Sequence, residues 1–196
     1  MTRQELLNHE NLTAFRQHGF TPINASGDDQ VFGNCIFCGR PKSFYINPEL
    51  KKWDCKQCGL NGGYKIFIEE IVKFGKEQFT FKTALSLAKN RGLKAKTLIN
   101  HNVGLNTNIN AYIIPCYTLD NADEILGVKI FPIQKDGSLS KKRAVTSGGK
   151  LGSFGWENFK KPFSTCWIVE GEWDYFVWFE VMEIMKKTTK EPFMIL

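Results

Sequence analysis

The chain has 196 residues with 26 Lys and Arg against 20 Asp and Glu, a net charge of +6, and is 42% hydrophobic and 13% aromatic. That composition supports two small domains, or one domain plus a metal-held module, and excludes wholesale disorder. No run approaches the roughly 20 uninterrupted apolar residues of a membrane span, and the start Met1-Thr2-Arg3-Gln4-Glu5 lacks the apolar core of a secretion signal, so the reading is a cytoplasmic protein with no membrane partner.

Thr2 followed by Glu5 is a capping-box pattern, and Leu6, Leu7, Leu12 and Phe15 before Gly19 predict one or two short scaffold helices. Residues 24–30 are small and polar and read as a loop. Phe44-Tyr45-Ile46-Asn47 and Lys52-Trp53-Asp54-Cys55 read as two strands around the turn Asn47-Pro48-Glu49-Leu50. Gly59 to Gly63 is expected to be a turn. Ile66, Glu70, Ile71 and Phe74 then begin a helical spacing, and a second helix over 79–90 is expected to end at Gly92.

Strand-like stretches follow at 111–114, 125–131 and 165–169, each rich in β-branched or aromatic residues. A last helix over 173–187 places Trp173, Phe176, Val177, Val181, Ile184 and Met185 on one face, and Trp178 and Phe179 on its other side predict that much of it is buried. His9, His18 and His101 have no partner pattern, and Cys116 and Cys166 sit in apolar strands and read as core.

The other four cysteines carry chemistry. Cys35-x-x-Cys38 and Cys55-x-x-Cys58 lie sixteen residues apart, a zinc-ribbon spacing, and four thiolates close the shell of a tetrahedral, structural zinc. Gly39 and Gly59 follow the second cysteine of each pair, where a tight knuckle requires positive φ. A hairpin this small buries too little apolar surface alone, so zinc supplies on the order of 10 kcal/mol of its folding free energy.

The basic residues form two groups. Within 34–65, Arg40, Lys42, Lys51 and Lys52 are candidate phosphate contacts for single-stranded DNA, with Tyr45 and Trp53 as candidate base platforms. Packing competes for Trp53 and Phe44, which also suit the hairpin core. The second group lies within 129–161.

The run Cys35-Ile36-Phe37-Cys38-Gly39-Arg40-Pro41-Lys42-Ser43-Phe44, then Trp53-Asp54-Cys55-Lys56-Gln57-Cys58-Gly59 and Gly62-Gly63, resembles the zinc domain of bacterial and phage DNA primases. One ligand is histidine in the commoner bacterial form; four cysteines resemble the phage-type primase-helicases. The likeness continues through Ile114-Pro115-Cys116-Tyr117, Ile125-Leu126-Gly127-Val128-Lys129 and Gly152-Ser153-Phe154-Gly155, which are similar to the first half of the primase polymerase domain. In that family basic residues of this half hold template or nucleotide phosphates, which makes Lys129, Lys142 and Arg143 candidates by position.

Ile168-Val169-Glu170-Gly171-Glu172-Trp173-Asp174 matches the first Toprim motif, a strand running through glutamate and glycine into a helix. A carboxylate at the carboxyl end of a buried strand sits where α/β sheets place their sites. The resemblance implies that Glu170 ligands magnesium or manganese, or moves a proton, during phosphoryl transfer. Glu172 and Asp174 read as dipole-stabilising acids of the helix start. No Asp-x-Asp pair follows Glu170, so the metal site is expected to be incomplete and the chain a fragment, a truncated product or part of a split enzyme.

The implied fold class is α+β, a small four-cysteine zinc ribbon followed by a mixed α/β primase-like domain ending in a partial Toprim fold. The expected divisions are a ribbon domain with amino-terminal helices over 1–68, a helical linker over 69–104, a polymerase subdomain over 105–164 and the start of Toprim over 165–196. The implied function is primase: recognition of a single-stranded DNA template and, in the complete enzyme, joining of ribonucleotides into short RNA primers, with a replicative helicase in cis or trans. The alternative is a non-catalytic zinc-ribbon adaptor that binds single-stranded DNA or a replisome partner.

Overall fold

A computed structural model describes residues 1–118, 124–140, 145–147, 165–189 and 193–195. Helix α1 (Arg3–Leu7) opens on the expected capping box: the Thr2 hydroxyl accepts from the Glu5 N–H, and the Glu5 carboxylate accepts from the Thr2 N–H at 2.7 Å. A 3-10 turn over Glu10–Leu12 and helix α2 (Thr13–Arg16) follow, and together these pieces deliver Leu6, Leu12 and Phe15 to the core.

The first sheet has five antiparallel strands in chain order, β1 (Pro22–Ser26), β2 (Gln30–Gly33), β3 (Phe44–Asn47), β4 (Lys52–Cys55) and β5 (Asn61–Gly63). The expected hairpin is β3–β4. Two stretches read from sequence as loop and turn are strand in part: residues 24–26 and 30 flank a turn over 27–29, and 61–63 are strand. β1 pairs with β2 through Asn24↔Phe32 and Ala25↔Val31, and β5 pairs with β4 through Asp54↔Asn61 and Lys52↔Gly63. Backbone hydrogen bonding holds both, so neither needed an alternating side-chain pattern. Val31, Phe44, Ile46, Trp53 and Cys55 face inward, while Phe32, Tyr45 and Asp54 share the opposite face in register.

Helix α3 (Tyr64–Gln78) lies under this sheet, and its Phe67, Ile68, Ile71 and Val72 are buried in one cluster with the inner sheet face and with Ala111, Ile113, Val128 and Ile130. Phe67 is the hub, with ring centroids of Phe15 at 4.5 Å, Trp53 at 5.8 Å and Phe37 at 6.0 Å. The apolar core is therefore continuous from Leu6 to Ile130. The helix approaches the second sheet so closely that a Cβ on Gly104 would meet the Gly75 carbonyl carbon at 2.9 Å.

The second sheet is antiparallel, in the order β6 (Gly104–Asn106), β7 (Ala111–Tyr117), β8 (Ile125–Pro132), β9 (Val145–Ser147). Its far face, including Tyr112 and Ile114, packs with α4 (Phe81–Arg91), α5 (Ala95–Asn100) and α6 (Glu172–Thr189). α4 ends at Gly92 with φ +67, as expected of a left-handed cap. Among the described side chains of α6 the buried apolar residues are Tyr175, Phe176 and Met182, whereas Val177, Val181, Ile184 and Met185, placed by the sequence on one apolar face with Phe176, are exposed. The helix is rotated by what grips it. His101 sits against Tyr175, Phe176 and Phe179, the last at 4.4 Å, and the Arg91 guanidinium lies 4.4 Å over Trp173. The Glu180 carboxylate accepts from the Lys94 N–H at 2.7 Å and the Thr97 hydroxyl at 2.6 Å, capping α5 from outside.

β10 (Thr165–Trp167) and β11 (Phe193–Ile195) pair in parallel, and α6 connects them as a strand–helix–strand unit. The fold is mixed α+β, with two antiparallel sheets and, among the described residues, six α-helices. Among the described residues no helix is long and apolar enough to cross a membrane.

Candidate metal centre and sheet face

The two cysteine pairs occupy equivalent knuckles. The Cys35 N–H donates to Arg40 O at 3.0 Å and the Gly39 N–H to Cys35 O at 2.9 Å; the Cys55 N–H donates to Leu60 O at 2.8 Å and the Gly59 N–H to Cys55 O at 3.0 Å. Gly39 and Gly59 have φ +71 and +76, the conformation for which glycine was expected. In each knuckle two backbone N–H groups point at the first sulfur, from Phe37 and Cys38 at 3.4 and 3.5 Å and from Gln57 and Cys58 at 3.4 and 3.5 Å. Such donors stabilise thiolates and tune a bound metal.

The knuckles bring the four sulfurs within 4.8 Å of one another, and Cys38 and Cys55 are 3.9 Å apart. Four soft donors at this spacing match a tetrahedral, closed-shell zinc. Cys35 and Cys55 are buried, Cys38 and Cys58 exposed. Burial pushes the Cys35 thiol up, so metal binding there displaces a proton. At Cys55 burial works the same way, but the Cys58 N–H, the Ser43 hydroxyl and the Gln57 N–H together outweigh it and hold the thiol down at about 6. The first knuckle is tied to the rest of the molecule by Asn108, whose side-chain amide donates to Ile36 O at 2.9 Å.

The candidate nucleic-acid residues divide by sheet face. Tyr45 is half-buried on the outer face, and Lys52, opposite Asn47, lies two residues along β4 from Asp54 on that same face. Arg40, Lys42 and Lys51 are exposed in the connections, Lys42 and Lys51 both at φ +53. Trp53 is placed otherwise. It is 3% exposed, stacked on Phe44 at 5.3 Å, and its indole N–H donates to Gly63 O at 3.0 Å, so its ring is not open to a base. The competing core reading of Trp53 and Phe44 is the one realised.

Two outer-face residues were not singled out by sequence. Phe32 is the cross-strand partner of Tyr45, with centroids 5.7 Å apart, and the Lys56 ammonium stands 5.7 Å over the Tyr45 ring while pairing with Asp54 at 2.7 Å. Alternation along β2, with Val31 and Gly33 inward, was the signal that would have found Phe32. A groove of about 700 Å³ is lined by Lys56 and Asp54 together with Gln30, Asn47, Lys52 and Asn61 among others.

Of the second basic group, Lys142 and Arg143 lie outside the described residues. Lys129 projects from β8 and pairs with Glu172, which is 8% exposed. Glu172, read from sequence as a helix-start acid, thus fastens the first turn of α6 to the second sheet. Glu170 is exposed in the bend between β10 and α6. Gly171 follows, with its carbonyl accepting the Tyr175 N–H at 2.9 Å and a Cβ there lying 3.1 Å from Asp174 Oδ2. Carboxylates are the hard donors that magnesium or manganese takes, so Glu170 and Asp174 fit such an ion in kind. The four cysteines are nevertheless the one preassembled set of three or more ligands among the described residues.

No protein-family profile matches the chain, and no curated protein matches it. Among solved structures it is similar to the Aquifex aeolicus primase in its zinc-binding and RNA polymerase domains, at 15% identity over 91% of this chain and 64% of that one, with a TM-score of 0.33. It is similar to the primase fragment of the bacteriophage T7 primase-helicase protein, at 16% identity over 84% and 66%, TM-score 0.35. A third similarity is to a structure of bacteriophage T7 lagging-strand DNA polymerase interacting with primase domains of two gp4 subunits bound to an RNA/DNA hybrid and dTTP, at 14% identity over 85% and 67%, TM-score 0.35. The chain spans about two thirds of the length of these proteins.

Proposed function

We propose that the chain is the template-engaging front of a DNA primase, whose ribbon holds single-stranded DNA and whose β10–α6 turn contributes Glu170 to primer synthesis in the complete protein. The observation that carries this reading is that the four cysteines which can hold a metal sit at the ends of the β3–β4 hairpin, whose connections carry the exposed Lys42 and Lys51 and whose β4 carries the exposed Lys52 on the same face as Tyr45. Cations in that arrangement neutralise phosphates and release counterions, which favours a polyanion whatever its sequence.

Glu170 supports the catalytic half. It stands exposed at the carboxyl end of a strand paired in parallel, ahead of a helix, which is where open α/β sheets present their sites. A magnesium or manganese ion held there would neutralise charge on a transferring phosphate. Glu170 is the residue of this chain that would ligand it or take the proton of an attacking hydroxyl, with further carboxylates required. Ribonucleotides would be the substrates, and a replicative helicase the functional neighbour, in cis or trans.

Titration of labelled single-stranded DNA with the zinc-loaded chain tests the reading. Affinity is expected to fall as salt rises, with a log–log slope of about −0.7 for each phosphate neutralised, and to fall further for Lys51→Gln with Lys52→Gln. Absence of salt-dependent binding would overturn the proposal.

A further inference from the structure

Helix α4 keeps one face in the core and turns the other to solvent. Ala84, Leu87 and Ala88 are buried in the cluster with Leu98 and Tyr112. On the solvent side Phe81 and Leu85, one turn apart, are 65% and 56% exposed. Lys89 continues the same ridge a turn further on and Lys82 flanks it, both of them exposed. Residues 79–103, which lead from α3 to β6, include Lys82, Lys89, Arg91, Lys94 and Lys96 and no Asp or Glu. Glu180, which reaches this stretch from α6, is taken up by the Lys94 N–H and the Thr97 hydroxyl, and the Arg91 guanidinium lies over Trp173. Among the described residues Lys82 and Lys89 have no ion-pair partner. The first turn of α4 carries no acid of its own to meet the positive end of the helix dipole.

An exposed aromatic and an exposed aliphatic side chain on one ridge are anchors for an apolar partner, and unpaired lysines beside them select a negative one. We infer that the α4 ridge of Phe81, Leu85, Lys82 and Lys89 docks an acidic segment of another protein, one that carries apolar side chains between its carboxylates. Phe81 and Leu85 receive the apolar side chains, Lys82 and Lys89 pair with the carboxylates, and a carboxylate at the Phe81 end also meets the helix dipole. The ridge shares no residue with the ribbon face or with Glu170, so the inference goes beyond the template-binding reading. Nucleic acid fits the ridge less well, because phosphates need the lysines alone and leave Leu85 uncovered. An anionic bilayer fits less well too, since Ala84, Leu87 and Ala88, the rest of the apolar side of α4, are committed to the core. Two apolar anchors and two lysines make a contact well below a standard interface, which suits a transient partner.

Fluorescence anisotropy of the zinc-loaded chain with a labelled peptide of about ten residues, its aspartates and glutamates alternating with leucine and phenylalanine, tests this. Binding in the micromolar range is expected, weakened about tenfold by Phe81→Ser with Leu85→Ser. Lys82→Gln with Lys89→Gln is expected to weaken it about threefold, an effect that fades with added salt. A peptide with serine in place of leucine and phenylalanine is expected to bind about tenfold more weakly than the first. All four side chains are exposed, so both double variants are expected to keep the thermal melt and the single-stranded DNA affinity of the parent chain. No binding of the first peptide by the parent chain, equal binding of the serine peptide, or undiminished binding by the Phe81→Ser, Leu85→Ser variant overturns the inference. Loss of single-stranded DNA affinity in the Lys82→Gln, Lys89→Gln variant assigns the ridge to nucleic acid and overturns it as well, and preference for phosphatidylglycerol vesicles over the peptide does so in favour of a membrane.

Discussion

His18 Nε2 lies 2.8 Å from Ser147 Oγ, joining the amino-terminal helices to β9 across 129 positions of sequence, and neither residue has measurable exposure. Tyr64 Oη reaches the same hydroxyl at 3.0 Å, so α3 enters the chain of contacts too. Burial pushes the pKa of His18 down to about 3.

A pH dependence follows from that burial. The unfolded chain protonates His18 below about 6.5 and the folded one does not until far lower, so this contribution is intact above 6.5 and is lost as pH falls. The loss is about 1.4 kcal/mol per pH unit once well below 6.5. Urea melts at pH 7.5 and 5.5, with zinc in excess, are expected to show a lower midpoint in acid, and His18→Gln to shrink the difference. Coincident midpoints in the parent chain would contradict the account.

Removal of zinc is expected to act locally as well as globally. Chelation leaves Cys35 and Cys55 as buried, unligated thiols and frees both knuckles, at a cost on the order of 10 kcal/mol. Hydrogen exchange is the measurement, with loss of protection expected first over 22–63. The second cluster, which joins Leu87, Leu98, Tyr112, Ile114, Tyr175 and Phe176, contains no ribbon residue and gives the remainder a core of its own. Unchanged exchange over 22–63 in chelator would show that the thiolates do not hold the ribbon.

Lys51 separates stability from binding. At φ +53 a lysine costs more than glycine would, the residue that Gly39 and Gly59 supply at φ +71 and +76 in the knuckles. Lys51→Gly is expected to raise stability by about 0.5–1 kcal/mol, seen in thermal melts. The same variant is expected to weaken single-stranded DNA binding and to make the salt slope shallower by about 0.7. A stabilised variant with undiminished affinity would remove Lys51 from the interface.

The parts of this molecule legible in its sequence are those set by local rules. The capping box at Thr2, the knuckle glycines, the hairpin strands and the left-handed cap at Gly92 all depend on neighbours within a few positions. β5 was hidden because Asn61, Gly62 and Gly63 offer no side-chain pattern and pair by backbone. The buried face of α6 was misread because its orientation is set by His101, Arg91 and Lys94, none of them near it in sequence. The ion pair of Lys129 with Glu172 was equally hidden, as the two residues lie on different elements. The aromatic face became visible only when β2 paired with β3 and set Phe32 beside Tyr45.

The central claim joins the thiolate centre and the strand-end carboxylate in one reaction. Template-dependent incorporation of labelled ribonucleotide by the native gene product, with magnesium and single-stranded DNA, tests it most directly. The account predicts primer-length products that require zinc and fall about a hundredfold or more in Glu170→Gln, with template affinity retained. Undiminished synthesis by Glu170→Gln, or by metal-stripped protein, would contradict it.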